Sequence, residues 1–271
     1  MQLFCFPHAG AGASVYREWV DRLADRIEVV PVQLPGREAR FSEAPLSTVT
    51  EIIEQLIDPL LERADKPFAV FGHSMGALLS FEVTHTLTQR CHQPLHLFLS
   101  GYSAPHLRPA ATNTLVHTWP DAELAEHLIN IGGIAVELIQ LPELLRSFLP
   151  ALRADLAIGE TYRYLPRPAL PVPITVLAGR DDPTVNVERL DTWSALSGEK
   201  TTIKTLPGGH FYLDTQLGAV LEIIRSTLLV PCHSGTWRSG RATGESRVPS
   251  AGPSPAESPP AHAGKRLPPG R

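Results

Sequence analysis

The sequence predicts an α/β fold: a mostly parallel, doubly wound sheet with helices on both faces and a helical insertion in its second half. Three observations carry this. Short apolar runs alternate with helical stretches from the start of the chain to about residue 230, the pattern of βαβ units. The runs at 68–71, 95–100 and 174–178 are apolar along most of their length, as strands buried on both faces are. One stretch, 105–165, breaks the alternation with helical patterning and no strand.

In chain order, residues 3–6 form a short strand ending in the turn Pro7-His8-Ala9-Gly10-Ala11-Gly12. A helix over 15–23 and a strand over 28–32 follow. Apolar residues spaced by three and four over 46–63 predict an amphipathic helix. The strand 68–71 leads into a helix over 75–89, then come strands at 95–100, 174–178 and 203–206 and a closing helix at 217–230. Within 105–165, helices are expected over 121–131 and 142–152. Helices inserted there are expected to form a lid over a site, the alternative being a plain helical excursion. The expected organisation is a domain over 1–230 with its lid at about 105–165, followed by a tail.

The tail differs in composition. Of the 41 residues in 231–271, 20 are Pro, Gly or Ser, too few apolar groups to offset the entropy of ordering, so it is expected to be disordered. It carries six basic and two acidic residues, a balance of +4, which leaves −8 on residues 1–230. An acidic body argues against nucleic acid as a partner, since phosphate binding needs clustered Lys and Arg. No apolar run approaches the ~18 residues that span a bilayer, and the N-terminus does not read as a signal peptide. A cytoplasmic protein without membrane partners is expected. The cysteines (Cys5, Cys91 and Cys232) are too scattered for a disulfide framework or a zinc site.

Gly72-His73-Ser74-Met75-Gly76 fits G-x-S-x-G between a strand and a helix, the nucleophile elbow of the α/β-hydrolase fold. Such an elbow strains the backbone at Ser74 and demands small residues two positions to either side, which Gly72 and Gly76 supply. The simpler reading of Ser74 is a helix N-cap. A serine nucleophile needs a histidine base and a carboxylate, in the order Ser, Asp/Glu, His in this fold. His210 follows Gly208 and Gly209 directly after the strand 203–206 and is the expected base. His85, His92, His117, His127 and His233 are expected to be solvated, and His73 to pack. Asp182, three residues beyond Gly179, is the expected acid, with its neighbour Asp181 as the alternative. The oxyanion donors are expected to be the N–H groups of Met75 and Ala9. The turn at His8–Gly12 lacks both the P-loop Lys and the G-x-G-x-x-G spacing, so nucleotide binding is set aside. The chemistry requires no metal and no organic cofactor.

Taken with Phe4-Cys5-Phe6-Pro7-His8-Ala9-Gly10, Gln33-Leu34-Pro35-Gly36-Arg37, Leu152-Arg153-Ala154-Asp155 and Gly208-Gly209-His210-Phe211, the elbow is similar to that of the type II thioesterases, over about residues 3–229. The chain departs from that pattern at its ends: members carry an extra edge strand ahead of the first strand, and the Pro/Ser/Gly-rich tail is not typical. The resemblance implies Ser74, Asp182 and His210 as triad, Met75 and Ala9 as oxyanion donors, and a lid that gates the site. It also implies the partners: acyl or peptidyl carrier protein domains bearing phosphopantetheine thioesters, cleared of stalled acyl groups during polyketide or nonribosomal peptide synthesis. Other readings are a product-releasing thioesterase, an acyl-CoA or small-ester hydrolase, and a catalytically silent binding protein.

Overall fold

The computed structural model describes residues 1–107, 115–134, 137 and 140–229; the expected tail at 231–271 lies outside them. Six strands form one sheet: β1 (Gln2–Phe6), β2 (Glu28–Pro31), β3 (Phe68–His73), β4 (Leu97–Ser100), β5 (Ile174–Gly179) and β6 (Thr201–Leu206). All are parallel, in the order β2-β1-β3-β4-β5-β6. Each strand alternates its side chains between two apolar layers. Phe4, Phe6, Phe68, Val70, Leu97, Leu99, Ile174 and Val176 face one layer, and Leu3, Cys5, Ala69, Phe71, Phe98 and Leu177 face the other. Parallel strands need helices on both faces to bury such runs.

The first layer is closed by α2 (Val49–Arg63) and α3 (Met75–Gln89), the second by α1 (Arg17–Leu23) and the last described helix, α7 (Leu217–Leu228). A capping box starts α2: the Thr48 hydroxyl accepts from Glu51 N–H, and the Glu51 carboxylate accepts from Thr48 N–H. Pro31 ends β2 at the sheet edge, where a missing N–H costs nothing. Residues expected as one helix over 15–23 instead form a 3-10 turn, Ala13–Tyr16, before α1.

The stretch 105–165 contributes no strand among the described residues and carries α4 (Asp121–Asn130) and α5 (Pro142–Thr161). The latter runs nine residues past the expected end at 152. Its buried stripe of Leu149, Leu152, Asp155 and Ile158 continues through Pro150, and Asp155, a charge inside that stripe, hides the continuity from a hydrophobic reading. Leu124 and Leu128 of α4 meet Leu149 and Leu152 of α5 in a third, smaller core. A short α6 (Tyr212–Thr215) precedes α7.

This topology selects the place for a site. From β1 the chain moves outward to β2, then returns to place β3 on β1's other side. Loops leaving β1 and β3 therefore diverge and open a crevice at their carboxyl ends, the general ligand position in open α/β sheets.

Candidate active site

Ser74 stands between β3 and α3 at φ 56° and ψ −122°, a conformation a side-chain-bearing residue rarely adopts. Its own N–H is held by the Ser100 carbonyl at 2.7 Å, and its carbonyl accepts from Ala77 N–H at 2.9 Å. A Cβ at Gly72 would collide with the Gly76 carbonyl and the Ser80 hydroxyl, and one at Gly76 with the carbonyls of Phe6 and Pro7. The two glycines thus let β1, β3 and α3 approach closely enough to lift Ser74 into the crevice.

The base arrives through another close approach. A Cβ at Gly179, the end of β5, would collide with the carbonyls of Gly208 and Gly209. Arg180 N–H donates to Leu206 O at 2.8 Å and Asp181 N–H to Gly208 O at 3.0 Å, so the loops after β5 and β6 are tied backbone to backbone. Gly208, at φ 113°, makes the turn that aims His210 back at the elbow.

The result is a continuous row. Ser74 Oγ lies 2.9 Å from His210 Nε2, and His210 Nδ1 lies 2.8 Å from Asp182 Oδ2. Asp182 Oδ1 accepts from Thr184 N–H at 2.8 Å and from Thr184 Oγ1 at 2.7 Å. Burial would raise the Asp182 carboxyl, but its hydrogen bonds to His210 and Thr184 outweigh this and hold it below the usual Asp value. An ionised Asp182 fixes the tautomer with hydrogen on Nδ1, which leaves Nε2 to accept from Ser74. Asp181 is exposed and takes no part in the row.

Two further histidines lie beside it. His73 is buried, its ring 5.1 Å from that of His210, and its Nδ1 meets Ser100 Oγ at 2.9 Å. Tyr212 Oη meets the same hydroxyl at 2.6 Å. Burial pushes His73 well below the usual histidine value and His8 down to about 4, with His210 adding to both. Both rings are therefore uncharged near neutral pH.

Ala9, Ser74, Met75, Asp155 and His210 line one cavity of about 480 Å³ between the sheet edge and α5. In the turn after β1, Ala11 N–H donates to His8 O at 3.1 Å and Gly10 N–H to Asp155 Oδ2 at 2.7 Å. Among the described residues that leaves Ala9 N–H without a protein acceptor, beside the start of α3. No group of three or more His, Cys, Asp or Glu suited to a metal ion occurs among the described residues.

The structure thus brings Ser74, His210 and Asp182 into contact and sets Ala9 and Met75 on the same cavity. Sequence reasoning missed Thr184, Arg37 and Asp155. Thr184 sits two residues past the acid, where an Asx-type bond was the available signal. Arg37 and Asp155 carried no signal beyond the motifs containing them. Sequence reasoning was wrong about His85, which is buried on α3 with its ring 4.8 Å from that of Phe81, because α3 is covered all round. It was wrong about His117 too, which is half-buried and bonded to Glu160 at 2.5 Å.

A parallel six-stranded sheet, a serine elbow and an adjoining histidine and aspartate define an α/β-hydrolase fold. The family model "Thioesterase domain" matches residues 1–228, and the chain belongs to that family, as a hydrolase acting on thioesters. It is 40% identical over 230 residues to the linear gramicidin dehydrogenase LgrE of Brevibacillus parabrevis, covering 83% of this chain and 87% of that one. It is 37% identical to the gramicidin S biosynthesis protein GrsT of Aneurinibacillus migulanus, covering 79% and 83%. Among solved structures, the type II thioesterase BorB from the borrelidin biosynthetic cluster shares 40% identity and a TM-score of 0.77, over 83% of this chain and 91% of that one. No helix among the described residues is long and apolar enough to cross a membrane.

Proposed function

We propose that the protein hydrolyses acyl groups from the phosphopantetheine arms of carrier proteins through an acyl-serine intermediate, as an editing enzyme of polyketide or nonribosomal peptide synthesis. The hydrogen-bonded row from Ser74 through His210 to Asp182, opening on the cavity that Ala9 and Met75 share, carries the chemistry.

Ser74 Oγ gives its proton to His210 Nε2 and attacks the thioester carbonyl carbon. The carbonyl oxygen, now an anion, takes hydrogen bonds from Met75 N–H and Ala9 N–H, and the start of α3 adds its positive dipole end. Collapse of this intermediate breaks the C–S bond, and the proton on His210 leaves with the thiol. Water then gives a proton to His210 and attacks the acyl-serine. A second collapse returns that proton to Ser74 and frees the acid. Asp182 keeps its charge throughout and stabilises the imidazolium. Thiols leave readily, so orientation and the oxyanion donors carry most of the rate.

The carrier-protein assignment is supported by relatives named for gramicidin and borrelidin biosynthesis. Dehydrogenation, in LgrE's name, has no support in the turn after β1, which lacks a dinucleotide fingerprint. Residues 105–165 act as the lid over the cavity, the domain spans 1–230, and the protein works in the cytoplasm. With −8 on residues 1–230, long-range electrostatics oppose docking of an acidic carrier, so recognition runs through the pantetheine arm. Replacing Ser74→Ala tests the reading: hydrolysis of acyl-carrier thioesters should fall at least about a thousandfold with the fold intact. Retained turnover would refute it. Faster turnover of acyl-CoA or p-nitrophenyl esters than of acyl-carrier protein would move the substrate away from carriers.

A further inference from the structure

The mechanism above leaves one buried charged pair without a task. Asp155 of α5 and Arg37, 118 residues apart, are 1% and 6% exposed. Arg37 Nη1 bonds Asp155 Oδ2, and Nη2 donates to Oδ1 at 2.9 Å, a two-pronged contact. Asp155 Oδ2 also accepts from Gly10 N–H at 2.7 Å. The same guanidinium donates from Nε to Pro35 O at 3.1 Å and from Nη1 to Ala11 O at 3.4 Å. The pair therefore grips the turn after β1 on both sides, by an N–H at Gly10 and a carbonyl at Ala11. Leu152, one helical turn before Asp155, covers the same spot: a Cβ at Gly10, whose φ is 80°, would lie 2.9 Å from its Cδ1.

A buried ion pair is a weak source of stability, since desolvation offsets most of its Coulomb gain. A carboxylate on the wall of a cavity where an oxyanion forms would by itself oppose the reaction. Arg37 cancels that charge, and the geometry spends an Asp155 lone pair on Gly10, the residue directly after Ala9. The Ala11 N–H bond to His8 O, 3.1 Å, orients the peptide that carries the Ala9 N–H, and Asp155 pins the next peptide at Gly10, so the two together limit where the Ala9 N–H points.

We propose that Asp155, held by Arg37, is a positioning residue that sets the Ala9 oxyanion donor, so that seating of α5 and assembly of the oxyanion hole are one event. This rests on the reading of Ser74 as nucleophile and Ala9 as donor. Hydrolysis then proceeds only when α5 is seated, and a thioester lying over a displaced α5 is not attacked.

The test uses the full chain and the double variant Arg37→Met/Asp155→Leu, which removes both charges together and leaves neither buried alone. The expected result is a kcat lower by roughly ten- to hundredfold with KM within about twofold, because a donor is misplaced rather than a binding surface lost. Affinity for a trifluoromethyl ketone analogue of acyl-pantetheine, whose adduct carries the oxyanion, should fall by the same factor. A folded double variant with wild-type kcat and analogue affinity, or with only a raised KM, would overturn the proposal and reduce the pair to a structural tie. If the double variant does not fold, Asp155→Asn carries the same comparison, with severalfold matched losses expected and unchanged kcat again contradictory. Ser74→Ala runs in parallel: inactivity there with a wild-type double variant sinks this proposal alone, while activity there sinks the catalytic reading and this proposal with it.

Discussion

The sheet edge and the helical stretch above it hold their functional residues by different means. At the sheet edge, Ser74, Asp182 and His210 sit on loops locked by backbone contacts at Gly72, Gly76 and Gly179, where no side chain fits. Above it, α4 and α5 share a small core of Leu124, Leu128, Leu149 and Leu152, and α5 meets the turn after β1 through the packing of Leu152 and one polar grip, the carboxylate of Asp155. Geometry set by interlocked strands is rigid, and geometry set by one polar grip can be made and broken. On the proposed mechanism, the chemistry belongs to the first region and the gating to the second.

The sharpest way to separate the two is to damage each alone. Asp182→Asn leaves shape and volume unchanged but frees the His210 tautomer, and kcat should fall by about four orders of magnitude while Tm hardly moves. Leu128→Ala instead hollows the small core, at a local cost of about 2–5 kcal/mol. It should speed proteolysis within 105–165 and slow labelling of Ser74 by a fluorophosphonate severalfold, because a loosened α5 no longer sets the Ala9 donor, while the Ser74–His210–Asp182 row stays intact. Faster proteolysis with labelling at the wild-type rate would show that α5 and the Ala9 donor are not coupled.

Acid should act on the sheet body. Burial holds His8, His85 and His96 at about 4, below the usual 6.5. A base with a lowered folded value is protonated first in the unfolded chain, so stability is complete above about 6.5 and declines as pH falls toward 4. Calorimetry at pH 7 and pH 5 should show Tm lower by several degrees at pH 5, and an unchanged Tm would show that these rings are not buried in solution. The smallest effect expected is a gain. Ser74→Gly relieves the positive φ and should raise Tm by about 2–4 °C, equivalent to roughly 1 kcal/mol, as it abolishes turnover. A lowered Tm would mean the elbow is not strained.

The same contrast explains what could be read from the sequence. Gly72 and Gly76 flag a place where backbone must pass close to backbone, and Gly208 a turn at positive φ; they stand beside Ser74 and His210. Short apolar runs placed all six strands to within about two residues: β1, β3, β4 and β5 are buried along their whole length, whereas the edge strands β2 and β6 are only partly buried. The grip of Arg37 on Asp155 was not readable. An ion pair 118 residues long has no periodicity, and a charge within an apolar stripe reads as the end of a helix. Thr184 was missed because its hydroxyl does its work through Asp182 and His210 rather than by any pattern of its own.

The most direct measurement is the mass of the peptide containing Ser74 after rapid mixing with a slowly hydrolysed acyl-pantetheine thioester and acid quenching. A transient increase equal to the acyl group, located on Ser74 and decaying at the turnover rate, is the predicted result. Steady hydrolysis with no acyl group on Ser74 at any time would contradict it.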